Sequence, residues 1–300
     1  MAETNPILDA LVASMRAGEL DFGRPVAETR AEFDGMLAAM PVAEDLTFTP
    51  GTLAGLPALH TASPGAAEDA VLLYLHGGAY ISGTPESYRG LAAELARAAG
   101  VRGIALDYRL APEHPFPAAV DDAVAGYEAL LARGFAPGRI VIAGDSAGGG
   151  LAMAALVALR DKGAPLPAAA LLISPWADLT GNACSLESKA AEDPALTAEA
   201  LDIAAAHYLG GASAQHPLAS PVLADLTGLP PMLIQVGSAE ILLDDALALA
   251  AAAGRANAPV RLEIWPQMPH VWHIFAFMLP EGRKAIETAG AFLSGAMSGS

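Results

Sequence analysis

The run Gly144-Asp145-Ser146-Ala147-Gly148 constrains this chain more than any other feature. Before it stands Arg139-Ile140-Val141-Ile142-Ala143, a β-branched run that reads as a buried strand. After it, Gly149 to Arg160 is rich in Ala and Leu and reads as a helix. A strand that turns straight into a helix leaves no room for Cβ atoms beside the turn, which is why glycines flank the serine. Such a turn holds the serine Oγ exposed at the sheet edge. The helix N-terminus behind it favours the negative charge that acyl transfer develops on oxygen. The segment therefore points to a nucleophilic serine rather than to an ordinary glycine-rich loop.

The rest of the chain supplies a matching scaffold. Strands are expected at Ala70–Leu75, Gly103–Asp107, Arg139–Ala143, Ala169–Ser174, Met232–Val236 and Val260–Trp265. Helices fit between or after them at Glu86–Ala99, Pro117–Ala132, Gly149–Asp161, Ile241–Ala256 and Glu281–Ala296. This alternation predicts an α/β fold with a mostly parallel sheet flanked by helices. Ahead of it, Ile7, Leu8, Leu11, Val12 and Met15 share one helical face, and Val26, Phe33, Met36, Leu37 and Met40 share a second. Residues 1–45 are thus expected to form N-terminal cap helices before a catalytic domain at 46–300. The interval from Asp178 to Leu229 is too long for a simple crossover and contains a helical pattern, Thr197–Leu209. It is read as a cap insertion at about 180–220 over the C-terminal edge of the sheet.

Composition narrows the partners. A formal net charge of −17 disfavours nucleic acid and anionic membrane surfaces. The single cysteine, Cys184, excludes an intrachain disulfide and a cysteine metal framework. Met1 to Ala10 lacks a basic segment followed by an apolar one, and no uncharged apolar run reaches the ~18–20 residues of a membrane span. A cytoplasmic protein is expected.

A serine hydroxyl needs a base to take its proton, and the base needs an orienting acid. In a sheet of this kind the chain order is serine, acid, histidine. His270 follows the last expected strand by a short loop, which puts it at the edge where Ser146 sits. His273 falls in the apolar run Val271–Leu279 and reads as packed, while His207 and His216 fall in the insertion. The acid is sought after Met232–Val236, where Glu240 is on the loop and Asp244 and Asp245 are about a turn into the next helix. Glu240 is the leading candidate, with the two aspartates as alternatives that otherwise face solvent or the cap.

A second glycine-rich turn, His76-Gly77-Gly78-Ala79-Tyr80, follows another strand. Successive small residues let N–H groups converge on one anion, so Gly77, Gly78 and Ala79, with Ala147 after the serine, are the expected oxyanion-hole donors. His76 reads as a structural hydrogen-bonder. Arg109 and Glu113 are expected to pair and fix the loops under the site. Trp176, Asp178 and Trp272 stand near other strand ends, lining a pocket or simply packing.

Together these residues resemble the hormone-sensitive lipase family of esterases within the α/β-hydrolase superfamily. The matching pieces are His76–Tyr80, Asp107–Glu113 continuing to Ala118, Gly144–Gly149 and Met268-Pro269-His270. The resemblance implies Ser146 as nucleophile, His270 as base, an acid at the Glu240 position, and cofactor-free hydrolysis of short- to medium-chain carboxylic esters. The chain departs from the family pattern at Ala79, where a third glycine is frequent, and at Glu240-Ile241-Leu242, where the family commonly has Asp-Pro-Leu. A serine carboxylesterase acting on a small-molecule ester is the favoured reading. The alternatives are a non-catalytic small-molecule receptor on the same fold, or an amidase or acyltransferase using the same triad. Neither a metal nor a cofactor is expected. The strand Val260–Trp265 reads as a sheet edge, which suggests a homodimer.

Overall fold

The apolar runs singled out in the sequence are the inner strands of one sheet. The structure is a computed structural model and describes residues 5–18 and 24–299. The expected N-terminal segment 1–45 is therefore seen only in part, since residues 1–4 and 19–23 lie outside the described residues. The strands are β1 (Thr47–Leu53), β2 (Leu56–Ala62), β3 (Ala67–Leu75), β4 (Val101–Leu106), β5 (Ile140–Asp145), β6 (Ala169–Ile173), β7 (Met232–Gly237) and β8 (Val260–Trp265). Their order is β1-β2-β4-β3-β5-β6-β7-β8. From β4 to β8 every pairing is parallel, and β1 and β2 form an antiparallel hairpin joined antiparallel to β4. The hairpin was not foreseen. Pro50, Gly51, Gly55 and Pro57 interrupt its alternation, and β1 lies at the sheet edge, where little of it is buried.

The helices are α1 (Pro6–Ala17), α2 (Val26–Ala38), α3 (Arg89–Ala98), α4 (Ala118–Ala132), α5 (Ala147–Asp161), the short α6 (Ser185–Ser188), α7 (Ala198–Leu209), α8 (Leu243–Arg255) and α9 (Pro280–Ser298). One apolar cluster joins α4, α5, α7 and α8 to one face of the sheet, and a second joins α3 and α9 to the other. Covering both faces removes the inner strands from water, which is why they read as continuous apolar runs. In α1, Leu8 and Leu11 are buried against Met268, Trp272 and Leu279, while Ile7 points outward. In α2, Phe33 and Leu37 pack with Tyr88 and Leu91, but Met36 is exposed, contrary to its expected place on the buried face. Met36 precedes Leu37 by one residue, about 100° around the helix, so both cannot face the same core. α7, inside the insertion, starts at the N-cap Thr197, whose side chain accepts from Ala200 N, and stops at the left-handed Gly210.

Packing leaves no room for added side chains at the serine turn. A methyl group at Gly148 would land on the Leu75 carbonyl, and one at Gly144 on the Gly148 carbonyl. By contrast Gly254, in the last turn of α8, has open space around a Cβ and an ordinary helical backbone. Gly148→Ala is expected to destabilise the fold by at least about 1–3 kcal/mol through overpacking. Gly254→Ala is expected to stabilise it by about 0.4–1 kcal/mol by restricting the unfolded chain. Thermal unfolding of the two variants checks both signs: the melting temperature falls for the first and rises for the second.

Candidate active site

Ser146 sits between the end of β5 and the first residue of α5, with φ 53° and ψ −122°. That backbone is strained for a residue with a Cβ, and strain of this kind persists only where the surroundings impose it. Here Ser146 N donates to Ile173 O at 2.8 Å, and Ser146 O accepts from Trp176 N at 2.9 Å. The side chain is nearly buried, with 8% exposure left at the sheet edge.

β7 and β8 are parallel neighbours, so the loops after them emerge side by side. The first carries Glu240 and the second His270, and Glu240 Oε2 lies 2.7 Å from His270 Nδ1. A carboxylate accepts, so Nδ1 carries the proton and Nε2 presents the lone pair. The other carboxylate oxygen, Oε1, accepts from Ser174 Oγ at 2.7 Å and from Gly237 N at 2.6 Å. Glu240 is fully buried with every bond satisfied inside the protein. Burial pulls the His270 pKa down, but the bond to Glu240 and its charge, with Asp193 and Asp145 beyond, outweigh this and hold it above 6.5. Among the described residues no hydrogen bond joins Ser146 Oγ to His270, but the imidazole charge is felt at Asp145, the residue before the serine.

The second glycine-rich turn faces the serine. Gly78, Ala79 and Tyr80 all have positive φ, at 110°, 55° and 63°. Gly77 departs from the expected donor set, because its N–H is turned inward and donates to Asp145 Oδ1 at 2.9 Å. Among the described residues the N–H groups of Gly78 and Ala79 have no protein acceptor, and neither does that of Ala147 at the start of α5. Asp145 also accepts from the Tyr74 hydroxyl. Burial pushes its carboxyl up to about 6, against the opposing effects of Tyr74, the His270 charge, Tyr88 and the Gly77 N–H.

The remaining candidates sort by their partners. His76 is buried and stacks on Tyr108, and its Nδ1 donates to Gly77 O at 2.7 Å. Burial drives its pKa to about 4 despite that bond, so it stays neutral as a structural group. His273 is buried beside Gln235 Oε1 at 3.0 Å, with its pKa lowered to about 3 by burial and by the His270 charge. Asp245 does not face solvent. It is buried, and its Oδ2 accepts from Ala177 N and Asp178 N, both at 2.8 Å, which pins the chain leaving β6. Burial raises it to about 7 in spite of those two bonds. Asp244 Oδ2 accepts from Ser185 N at 2.9 Å, so neither aspartate reaches the imidazole. Arg109 and Glu113 do not pair with each other: Arg109 binds Asp122, and Glu113 binds Arg30 of α2. Trp176 is buried against Tyr80, whose ring stacks on Tyr208 of α7 at 3.7 Å between centroids. Trp272 is fully buried, and Asp178 is half-buried. His207 and His216 lie at or near the surface of the insertion.

Sequence reasoning passed over Ser174 and Asp193. Ser174 directly follows β6, the strand between those of the serine and the acid, a position that marks the same sheet edge. Asp193 lies in the insertion, and its Oδ2 accepts from Ile241 N at 2.8 Å, directly behind Glu240. That contact spans 48 residues and has no local signal. A cleft of about 560 Å³ between α2, α3 and α9 is floored by Leu37, Leu91, Ile274 and Ile286 and is lined by neither Ser146 nor His270. Among the described residues no cluster of His, Cys, Asp and Glu fits a metal ion, and no helix is long and apolar enough to cross a membrane.

The α/β-hydrolase fold model matches residues 72–274. The chain is 57% identical over 230 residues to an acetyl-hydrolase of Streptomyces hygroscopicus, covering 77% of each chain. It is 38% identical over 287 residues to the putative acetyl-hydrolase LipR of Mycobacterium tuberculosis, covering 95% of this chain and 90% of the relative. Among solved structures, an esterase of the bacterial hormone-sensitive lipase family superposes with TM-score 0.95 at 47% identity, covering 99% of this chain and all (100%) of the other. The structure of EstE5 soaked with p-nitrophenyl butyrate superposes with TM-score 0.94 at 44% identity over 98% of this chain and 100% of that one.

Proposed function

This chain belongs to the hormone-sensitive lipase family of α/β-hydrolase esterases and is a carboxylic ester hydrolase, and on that premise we propose that Ser146, His270 and Glu240 are its catalytic triad. The observation that carries the assignment is the 2.7 Å bond between buried Glu240 and His270 Nδ1, which leaves Nε2 as the base at the serine's sheet edge. Ser146 Oγ attacks the ester carbonyl and its proton passes to His270 Nε2. The oxyanion is held by the N–H groups of Gly78, Ala79 and Ala147, none of which has a protein acceptor among the described residues. The histidine protonates the leaving alcohol, and water then releases the acyl group by the same route. A receptor that has given up catalysis has no need for a buried glutamate bonded to an imidazole, and the relatives are named esterases and acetyl-hydrolases.

Fluorophosphonate is expected to label Ser146, and Ser146→Ala to leave a folded protein with background activity; labelling of another serine with turnover retained removes the assignment. Glu240→Gln is expected to lower kcat by about 100–10,000-fold. Catalysis needs neutral His270, whose pKa, despite burial, is raised from its ordinary value by Glu240, so kcat/KM falls as pH drops through that raised pKa. Without the Glu240 charge the imidazolium loses its main support, and this acid limb moves to lower pH. Asp245→Asn should leave that limb in place.

The substrates are proposed to carry short to medium acyl chains, with acetyl esters included on the strength of the relatives' names. We assign the N-terminal helices and the 180–220 insertion to a cap over a finite apolar pocket. A p-nitrophenyl ester series is expected to show best turnover at roughly C2–C8. Strong hydrolysis of emulsified long-chain triglyceride with little on acetate or butyrate contradicts this.

A homodimer is proposed from the sheet edge. β8 is the last strand, and Ile264 on it is 46% exposed. An open apolar edge favours pairing with a second copy. Light scattering at micromolar concentration should give twice the chain mass, and a monomer mass ends the proposal.

A further inference from the structure

The left-handed backbone at Gly78, Ala79 and Tyr80 must be imposed from outside, because two of the three residues carry a Cβ. Inside the turn, Ile81 N and Ser82 N return to Gly78 O at 3.0 and 2.9 Å, and Ser82 Oγ reaches the same carbonyl at 2.9 Å. Outside it, Ala111 N donates to Tyr80 O at 3.0 Å, which ties the turn to the loop after β4. A single guanidinium closes this arrangement. Arg30 Nε donates to Ile81 O at 2.7 Å, and its Nη2 donates to Ala111 O at 2.8 Å. The same group binds Glu113 with both terminal nitrogens, at 2.9 and 2.6 Å.

Arg30 lies on α2, one and two turns before Phe33 and Leu37, so all three share a face. The two apolar residues dock the helix, and the arginine reaches the turn from it. A guanidinium suits this place because its donors diverge in one plane and can bridge two carbonyls and a carboxylate together. Beside it, the Glu113 carboxyl is held down to about 2, chiefly by the hydrogen bond from Arg30.

We propose that Arg30 of the N-terminal helix α2 is a positioning residue for the ester hydrolysis, fixing the turn that aims the Gly78 and Ala79 N–H groups at the oxyanion. The inference rests on the assignment of those N–H groups to the oxyanion. Arg30 lies beyond the turn and touches neither Ser146 nor His270 through any hydrogen bond, so it acts through the backbone of residues 78–82 and of Ala111, which is tied to it.

The test compares Arg30→Met, Arg30→Lys and Glu113→Gln with the unaltered protein on p-nitrophenyl butyrate, with an alkyl boronic acid as a tetrahedral probe of the hole. Outright loss of one oxyanion donor costs about 100–1,000-fold. Misaiming donors that remain present is expected to cost less, so Arg30→Met should lower kcat by about 10–100-fold with KM within about threefold. The inhibition constant of the boronic acid should rise in proportion to the fall in kcat/KM. Arg30→Lys, which keeps the charge but offers one nitrogen for two carbonyls, should recover part of the loss. Glu113→Gln, which spares both carbonyl bonds, should lose less than Arg30→Met. Should Arg30→Met not fold, the lysine variant decides. Unchanged kcat and boronic acid affinity in a folded Arg30 variant overturn the proposal, as does a defect confined to KM. Ser146→Ala, run alongside, separates the two readings: if it retains turnover, the triad assignment fails; if it is inactive while Arg30→Met is normal, only the role of Arg30 fails.

Discussion

Everything at this site depends on two turns, after β3 and after β5, coming into van der Waals contact. The strands are adjacent and parallel, so their C-terminal ends are one strand spacing apart. Gly148 lies against the Leu75 and His76 carbonyls with no room for a methyl group. Across the same gap, Asp145 takes the Gly77 N–H and the Tyr74 hydroxyl. With the Gly77 N–H taken by Asp145, the next two N–H groups are left without a protein acceptor among the described residues. One buried carboxylate thus ties the serine turn to the second glycine-rich turn, at the cost of a raised pKa and a desolvated acid.

Three of the buried acids serve three different ends in a chain of net charge −17. Asp145 fixes a turn, Asp245 caps the two N–H groups that follow β6, and Glu240 faces an imidazole. Sequence position does not separate them, since Glu240 and Asp245 lie five residues apart. What separates them is the element beneath. Glu240 is on the loop between β7 and α8 and is held by Gly237 and Ser174, whereas Asp245 is already on α8, whose rotation carries it toward the chain after β6. The extra methylene of glutamate is accommodated because Gly237 has no side chain where the carboxylate folds back on it.

This explains what could be read from the residues and what could not. The inner strands and the helices of the sheet were legible to within a few residues, because burial on both faces writes itself into continuous apolar runs and helical periodicity. The β1–β2 hairpin was not legible, since its prolines and glycines break the pattern a strand is recognised by. The elbow, the histidine loop and the glutamate loop were legible because each is a local motif following a strand. Partners far apart in the chain were not. The Arg109–Glu113 pairing expected from proximity gave way to Arg109–Asp122 and Arg30–Glu113, the second spanning 83 residues. Ser174 and Asp193 were missed for the same reason: a hydrogen bond 66 or 48 residues away leaves no trace in spacing.

Those long contacts have a common direction. Elements outside the parallel sheet latch onto the loops of the site. Arg30 of α2 holds the turn of residues 78–82. Tyr208 of α7 stacks on Tyr80 of the same turn, a contact worth about 0.5–1.5 kcal/mol beyond the area it buries. Asp193 and Ser185 of the insertion take Ile241 N and donate to Ile241 O, gripping the residue after Glu240 from both sides. The sheet brings the reacting groups to one edge, but a strand end alone fixes neither a left-handed turn nor a glutamate rotamer. The N-terminal helices and the insertion supply that second constraint, by hydrogen bonds to backbone and by a ring stack, with no hydrogen bond to Ser146 or His270 among the described residues. A substitution in these elements therefore reaches the chemistry through loop geometry.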